Sequence, residues 1–528
     1  MVRLLHELIL EQANCRPDAT AVVHRQTALD YATLAAEVQA AASGLRALGL
    51  RRGERVAVYL PKRRETVIAL FGAALADGVF VPVNPLLKPE QVAYILRDCN
   101  VRVVVTARDR AEALQAHVCQ CPDLRALVLV DAAASGSVNA LQTLSWSDLT
   151  ASAASAVATQ AIDIDMAAIL YTSGSTGKPK GVVLSHRNML TGAYSVSDYL
   201  ANQAADRILA ILPLSFDYGL SQLTTAFAVG ASVVLMDYLL PRDVITTVVR
   251  EKVTGLAAVP PMWVQLAQLE WPKAAAESLR YFTNSGGAMP RATLAALRQA
   301  LPNTTPFLMY GLTEAFRSTY LPPEEIDRRP DSIGKAIPNA EILVVREDGA
   351  PCAPDEPGEL IHRGSLVAQG YWNDPVKTAE RFRPVPGQES GLPLVEIAVW
   401  SGDTVRADQQ GFLYFIGRKD DMIKTSGYRI SPTEIEDVLY SSGRIAEAAA
   451  LGIPHPALGQ AVVAVVKSLE RAASESELIN HCKQHLPNFM VPLQIVNRQT
   501  DLPRNPNGKI DRKVLAAELA ELFIESKP

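Results

Sequence analysis

From Tyr31 onward the chain alternates between stretches with apolar residues at helical spacing and short continuous apolar runs, the signatures of helices and of buried strands. YATLAAEVQAAASGLRALGL predicts a helix, RRGE a turn and RVAVYL a strand. The same succession recurs in ETVIALFGAALADG before VFVPV, ahead of VRVVVTA, and in DVITTVVREKV before GLAAVP. Repeated units of this kind predict an α/β fold with helix-covered, mainly parallel sheets. No fixed-period repeat is evident.

The texture changes at residues 411–430, where GFLYFIGRKDDMIKTSGYRI packs charges and glycines between apolar stretches. A hinge at about residue 420 is expected here, dividing a large N-terminal domain (1–417) from a small mobile α+β domain (418–528). In the small domain EIEDVLY and SELINHCKQHL read as helices, EAAALGI and QAVVAVVKSL as strands, and LPRNPNGKIDRK as a loop-rich tail. The alanine-rich segment from Ala132 to Ala161 reads as a surface connection without chemistry.

At 528 residues, with 48% apolar and 20% charged positions, the composition is that of a soluble globular protein of two or more domains. The net charge of -5 provides no basic field for nucleic acid or an anionic membrane, so small molecules or a locally read protein are the expected partners. Six cysteines lack metal-ligand spacing and are expected to be reduced. The N-terminal MVRLLHELILEQANCRPD is interrupted by Glu7 and Glu11, which argues for an amphipathic helix rather than a signal peptide and for a cytoplasmic protein. The uncharged stretch Tyr218 to Met236 reads as a buried helix and strand, not a membrane span.

Chemistry concentrates first in YTSGSTGKPKGVVLSHRN, after the apolar run AAIL. Gly174, Gly177 and Gly181 allow backbone amides to turn inward, Thr172, Ser173, Ser175 and Thr176 add hydroxyls, and Lys178 and Lys180 add charge. Those are the requirements of a phosphate loop. The spacing departs from the Walker A pattern. A solvated Ser/Gly turn is the bland alternative, and the run is long for one.

With SGGAMP (Ser285 to Pro290), YGLTE (Tyr310 to Glu314), SGD (Ser401 to Asp403), GRKDDMIKTSGYRI (Gly417 to Ile430), NPNGK (Asn505 to Lys509) and GVFVPVNP (Gly78 to Pro85), the chain resembles the adenylate-forming superfamily of acyl-CoA synthetases, peptide-synthetase adenylation domains and luciferases. The resemblance implies an AMP-forming ligase that uses ATP and Mg²⁺ and transfers the acyl group to coenzyme A or to a carrier protein's phosphopantetheine. It implies that Thr172 to Lys178 (Thr172, Ser173, Gly174, Ser175, Thr176, Gly177, Lys178) hold the ATP phosphates, that Thr313 bonds the α-phosphate and that Glu314 holds Mg²⁺. Tyr310 and Gly311, with Ser285, Gly286, Gly287 and Ala288 opposite, would enclose the adenine, and Asp403 and Arg418 would hold the ribose. Lys509 would bridge carboxylate and α-phosphate during adenylation, Asp420 would be the hinge, and Gly427 and Arg429 would line the thiol's approach. Glu314 has an alternative role as a helix-start residue capped by Thr313.

The acid is read from LPLSFDYGLSQL, where Phe216, Asp217 and Tyr218 occupy the acyl-pocket position. Phe-Asp resembles amino-acid-activating members, in which the Asp pairs the substrate's ammonium; the alternative is that Asp217 caps a helix. Asn84 departs from the Asp that amino-acid activators more often carry. No phosphopantetheine-attachment motif is present, so the thiol is expected in trans, on a separate carrier protein. Two alternatives stand beside amino-acid activation: an acyl-CoA synthetase, and a non-catalytic nucleotide-binding protein. Lys509 and Glu314 argue against the latter.

Overall fold

The computed structural model describes residues 2–131, 135–138, 141–151, 159–172, 179–289, 291–388, 391–418, 422–430, 432–468, 474–503 and 510–523, with 135–138, 261, 292, 417, 418, 429, 433 and 513 described by backbone alone. Among these residues the strands form three sheets of fourteen, eight and five.

The eight-stranded sheet has a parallel centre running from Met166–Thr172 through Val79–Pro82, Arg55–Tyr59, Val101–Thr106, Ala126–Leu129 and Leu141–Ser145. The fourteen-stranded sheet has a second parallel run, from Thr20–His24 through Ser232–Leu235, Arg207–Ala210, Gly255–Ala258 and Tyr281–Asn284 to Thr305–Tyr310. Helix Arg64–Leu75 is buried at every residue after its first, because it packs between the two sheets in one continuous core with Tyr31, Phe71 and Phe227. From Val67 onward the helix is apolar all round, as that placement requires.

The alternation of helix and strand in the first half is therefore the alternation of two doubly covered parallel sheets. The Tyr218 to Met236 stretch is helix Asp217–Val229 followed by strand Ser232–Leu235, and among the described residues no helix is long and apolar enough to cross a membrane. Two features differ from the sequence reading. From Thr319 to Arg418 the large sheet continues as antiparallel strands, a pairing that needs no crossover helix. The alanine-rich segment is more than a connection: Ser135–Val138 and Leu141–Ser145 pair as a hairpin on the edge of the smaller sheet, followed by the capped helix Trp146–Thr150.

After Leu413–Arg418, the last strand of the large sheet, the following strands pair with one another. They form the five-stranded sheet around the hairpin Ile423–Thr425/Tyr428–Ile430 and the long pair Ile445–His455/Gly459–Ser468. Helices Pro432–Ser441 and Glu475–His485 pack on it, giving the small α+β unit its own core of Ile430, Ile435, Leu439, Val466 and Leu478.

Candidate active site

The carboxyl ends of the parallel strands and the loops after them enclose a cavity of about 670 Å³. Thr172 ends one strand, the Phe216 to Tyr218 segment leads into the helix after another, Ser285 to Ala288 follow a third, and Tyr310 ends a fourth that Gly311 to Glu314 follow. All of these residues line the one cavity. Strand ends are where an open α/β sheet leaves space for a ligand, because its connecting helices diverge there.

On the phosphate side, Thr313–Ala315 is a short turn whose preceding cap position is held by Leu312, without a side-chain cap. Glu314 is therefore not a residue capped by Thr313. Tyr371 donates its hydroxyl to Glu314 Oε1 at 2.6 Å, and Lys180 lies over the Tyr371 ring at 5.1 Å. Burial lowers the Lys180 ammonium below the usual lysine range, while the Glu314 carboxylate acts in the opposite direction. Among the described residues no cluster of three or more acidic, His or Cys ligands exists. A Mg²⁺ would fit as the partner of one carboxylate and the nucleotide's phosphates, a habit of this hard, well-hydrated cation. Tyr371 was not singled out by the sequence, and AQGYWND offers no signal for it.

In the Ser285 to Ala288 segment, Gly286 adopts a positive φ of 80° and Asn284 Nδ2 donates to Gly287 O at 3.0 Å, fixing a loop that lines the cavity with Tyr310. The Tyr310 hydroxyl donates to Asp403 Oδ2 at 2.5 Å. Asp403 is fully buried and lies behind the residues lining the cavity, directly across the strand pair from Arg418.

The acyl side departs most from expectation. Asp217 is the first residue of helix Asp217–Val229 and makes no cap bond; Phe216 precedes it in extended conformation. Instead Asp217 Oδ2 accepts from Arg317 Nη1 at 2.8 Å. Arg317 is 2% exposed, and its guanidinium lies 4.7 Å over the Tyr218 ring. Two local constraints create the pair. Gly219 must lack a side chain, since a Cβ there would stand 2.0 Å from Pro213 O, so the helix can begin tight against the loop. Phe316 takes φ +56°, unusual for a bulky residue, which sends its ring into the core and turns Arg317 toward the cavity. In the sequence Arg317 is an arginine three residues after Glu314, and its immediate neighbours do not mark it.

The small domain closes the cavity with its Ile423–Thr425/Tyr428–Ile430 hairpin. Gly427 and Tyr428 line it, Phe216 meets the Tyr428 ring edge-on at 5.0 Å, and Tyr428 stacks on Phe489 at 3.7 Å. Burial pushes the Tyr428 phenol up to about 12 despite a hydrogen bond with Asn84. Gln91 Nε2 donates to Glu434 Oε1 at 2.7 Å, and burial pushes that carboxyl up to about 7. Ser173 to Lys178, Asp420 and Lys509 lie outside the described residues, as do the side chains of Arg418 and Arg429.

The strand ends of the large domain and the hairpin of the small one thus share a single cavity. The AMP-binding enzyme family matches residues 9–372 and the AMP-binding enzyme C-terminal domain matches residues 434–509. The chain belongs to this family of adenylate-forming ligases, which use ATP and Mg²⁺ and a thiol acceptor. It is 31% identical to an L-proline–[L-prolyl-carrier protein] ligase of Pseudomonas fluorescens over 98% of this chain and 100% of that one. It is 29% identical to the long-chain-fatty-acid–CoA ligase FadD13 of Mycobacterium tuberculosis over 96% and 97%. A linear gramicidin synthase of Brevibacillus parabrevis is 30% identical over 97% of this chain, which spans 6% of the synthase's length. Among solved structures, o-succinylbenzoate CoA synthetase from Bacillus subtilis, a double mutant bound with its product analogue, gives a TM-score of 0.83 at 27% identity, covering 96% of this chain and 97% of that one. The same enzyme with its acyl-adenylate gives 0.68.

Proposed function

We propose that this protein adenylates a carboxylic acid and passes the acyl group to the phosphopantetheine thiol of a separate carrier protein. The observation that carries the reading is the single cavity that joins Glu314 and Thr313 to the Phe216–Tyr218 segment and is closed by Gly427 and Tyr428. In the first step a carboxylate oxygen attacks the α-phosphorus, the bond to the bridging oxygen breaks, and pyrophosphate leaves with the electron pair. In the second the thiolate sulfur attacks the acyl carbon and AMP leaves with the electrons of the acyl–oxygen bond.

Both steps bring anions together, so fixed positive charge and donors are required. Thr313, which lines the cavity, would donate to the α-phosphate, and Lys180 would supply a half-buried cation beside Glu314. Mg²⁺ would offset phosphate charge, with Glu314 held toward it by the Tyr371 hydroxyl. Ser173 to Lys178 would take the distal phosphates and Lys509 the reacting carboxylate, with rotation about Asp420 between a large domain of 1–417 and a small one of 418–528. The higher likeness to the product-analogue form of the Bacillus synthetase supports reading the present arrangement as that of the thioester step, with Gly427 and Arg429 at the thiol's entrance. A cytoplasmic setting accords with six free cysteines and with a supply of ATP.

The likeness to the prolyl-carrier ligase favours a carrier protein as acceptor, whereas the likeness to the fatty-acid ligase favours coenzyme A. The pair between Asp217 and Arg317 bears on the acid. A carboxylate already neutralised by a buried guanidinium would have to share its charge between two cations to hold an α-ammonium. We therefore favour an acid without an α-ammonium over a plain neutral amino acid. ATP–pyrophosphate exchange, screened across amino acids, fatty acids and dicarboxylic acids, tests the reading. Acid-dependent exchange is expected, and its absence with every class defeats it.

A further inference from the structure

The donors of Arg317 are unevenly used. Both hydrogens of Nη1 are committed, one to Asp217 Oδ2 at 2.8 Å and one to Phe316 O at 2.9 Å. Nε and Nη2 are buried and have no hydrogen-bond partner among the described residues. Those two nitrogens form one edge of the guanidinium, the edge whose two parallel N–H bonds match the two oxygens of a carboxylate. A buried donor left unpaired is costly, more so when charged, so an edge without a partner among the described residues, on a side chain only 2% exposed, is a place that expects one. Arg317 lines the cavity together with Ser215, whose buried hydroxyl also lacks a partner among the described residues.

Resting on the ligase reading above, we infer that the acid activated here carries a second carboxylate, docked bidentately on the Nε–Nη2 edge of Arg317 while the first is adenylated. Asp217 then has a role different from substrate recognition. Its carboxylate fixes the guanidinium from the opposite side, and the Tyr218 face beneath holds the plane. Two carboxylates on one guanidinium, on separate edges, leave the site with one net negative charge. A monocarboxylic acid would leave the edge empty, and a neutral amide would supply one acceptor where two donors wait. Rejection follows from the unpaired donors rather than from size.

The experiment is pyrophosphate exchange with matched triplets: a dicarboxylic acid, the monocarboxylic acid of equal length, and the half-amide. Straight chains of four to eight carbons and a benzene-ring set span the cavity. Wild type is expected to favour the diacid over both partners at least tenfold in kcat/KM for one or more triplets. Arg317→Lys keeps the charge but loses the fork, and is expected to reduce that ratio at least tenfold while binding ATP as before. Should Arg317→Lys fold poorly, the double variant Asp217→Asn/Arg317→Gln removes both charges at nearly the same volume and is expected to erase the preference. A wild type that activates the monoacid or half-amide as well as the diacid overturns the inference and leaves the ligase reading standing. So does an unchanged ratio in Arg317→Lys, or activity confined to acids outside every triplet that lack a second carboxylate. Exchange with no acid of any class removes both.

Discussion

Asp217 and Arg317 meet at 2.8 Å with 17% and 2% of their side chains exposed, so the helix start and the turn after Glu314 are joined by an ion pair at the wall of the cavity. The pair crosses from one loop of the parallel sheet to another, and each residue holds the other's orientation. Its energy is asymmetric: forming it contributes little net stability, but removing one member strands a buried charge.

Asp217→Ala is accordingly expected to destabilise the protein by about 3 kcal/mol, the range for a broken buried pair. Urea unfolding measures it. Asp217→Asn/Arg317→Gln should cost less than Asp217→Ala alone, and a double variant that costs more would mean the two side chains are not coupled.

The sequence exposes the phosphate machinery and hides the pocket chemistry for a physical reason. YTSGSTGK, SGGA and YGLTE are local patterns: each would do its work with its own backbone amides, hydroxyls and glycines, so each is legible in a few consecutive residues. Helix Asp217–Val229 and the parallel strands were legible too, from continuous apolar runs bounded by glycine and proline. Arg317 and Tyr371 act across 100 and 57 residues of chain, on Asp217 and Glu314, and no local pattern announces such a partner. The antiparallel strands from Thr319 onward were missed because their apolar residues alternate or bulge irregularly, leaving neither periodicity clear.

Tyr371→Phe removes the hydroxyl that holds Glu314 and leaves the ring beneath Lys180. A hydrogen bond to a charged group contributes about 1.5 to 3 kcal/mol, so exchange should fall by one to two orders of magnitude. Part of the loss should return at high Mg²⁺, since the carboxylate is misplaced rather than absent. An unchanged Mg²⁺ requirement would separate Tyr371 from the metal.

Gly427 has a φ of +83°, and a Cβ there would stand 2.7 Å from Val259 Cγ1. Gly427→Ala is therefore expected to hinder seating of the small domain and to cut thioester formation at least tenfold, while exchange changes less than threefold. Lys509→Ala should do the reverse, losing exchange and keeping thioester formation from supplied acyl-adenylate. Parallel loss of both steps in both variants would mean that the two half-reactions share one domain arrangement.

Burial holds His6 and His186 down to about 4 and His362 to about 3, in each case with desolvation as the leading cause. The unfolded chain takes up these protons near pH 6.5, whereas the folded protein does not until much lower pH. Folded stability is then lost progressively as pH falls from 6.5 toward 4, on the order of 3 kcal/mol for each histidine at the end of the range. Unfolding midpoints at pH 7.5 and 5 measure the slope, and His362→Gln should flatten it. A stability that rises on acidification contradicts the assignment.

The last prediction concerns Glu434, whose carboxyl accepts from Gln91 at 2.7 Å and so ties the small domain to the large one. Burial raises it from the ordinary range to about 7, with the Asp437 charge acting in the same direction and the Gln91 bond opposing. In a rotated domain with this side chain in water, the carboxyl would titrate near its ordinary 4.5. The sign follows: the docked arrangement binds the proton more tightly, so it is fully favoured below 4.5, loses ground as pH rises through about 7 and gains no further penalty above that. Thioester formation, which on the proposed reading uses the docked hairpin, should therefore decline relative to exchange as pH rises from about 4.5 to about 7. Glu434→Gln keeps an acceptor for Gln91 and removes the titration. The variant should match wild type at the acid end, exceed it at the alkaline end, and show a flat ratio between. If the variant follows the wild-type profile, the proton controlling the two half-reactions resides elsewhere, and a pantetheine thiol approaching its own ionisation becomes the group to examine.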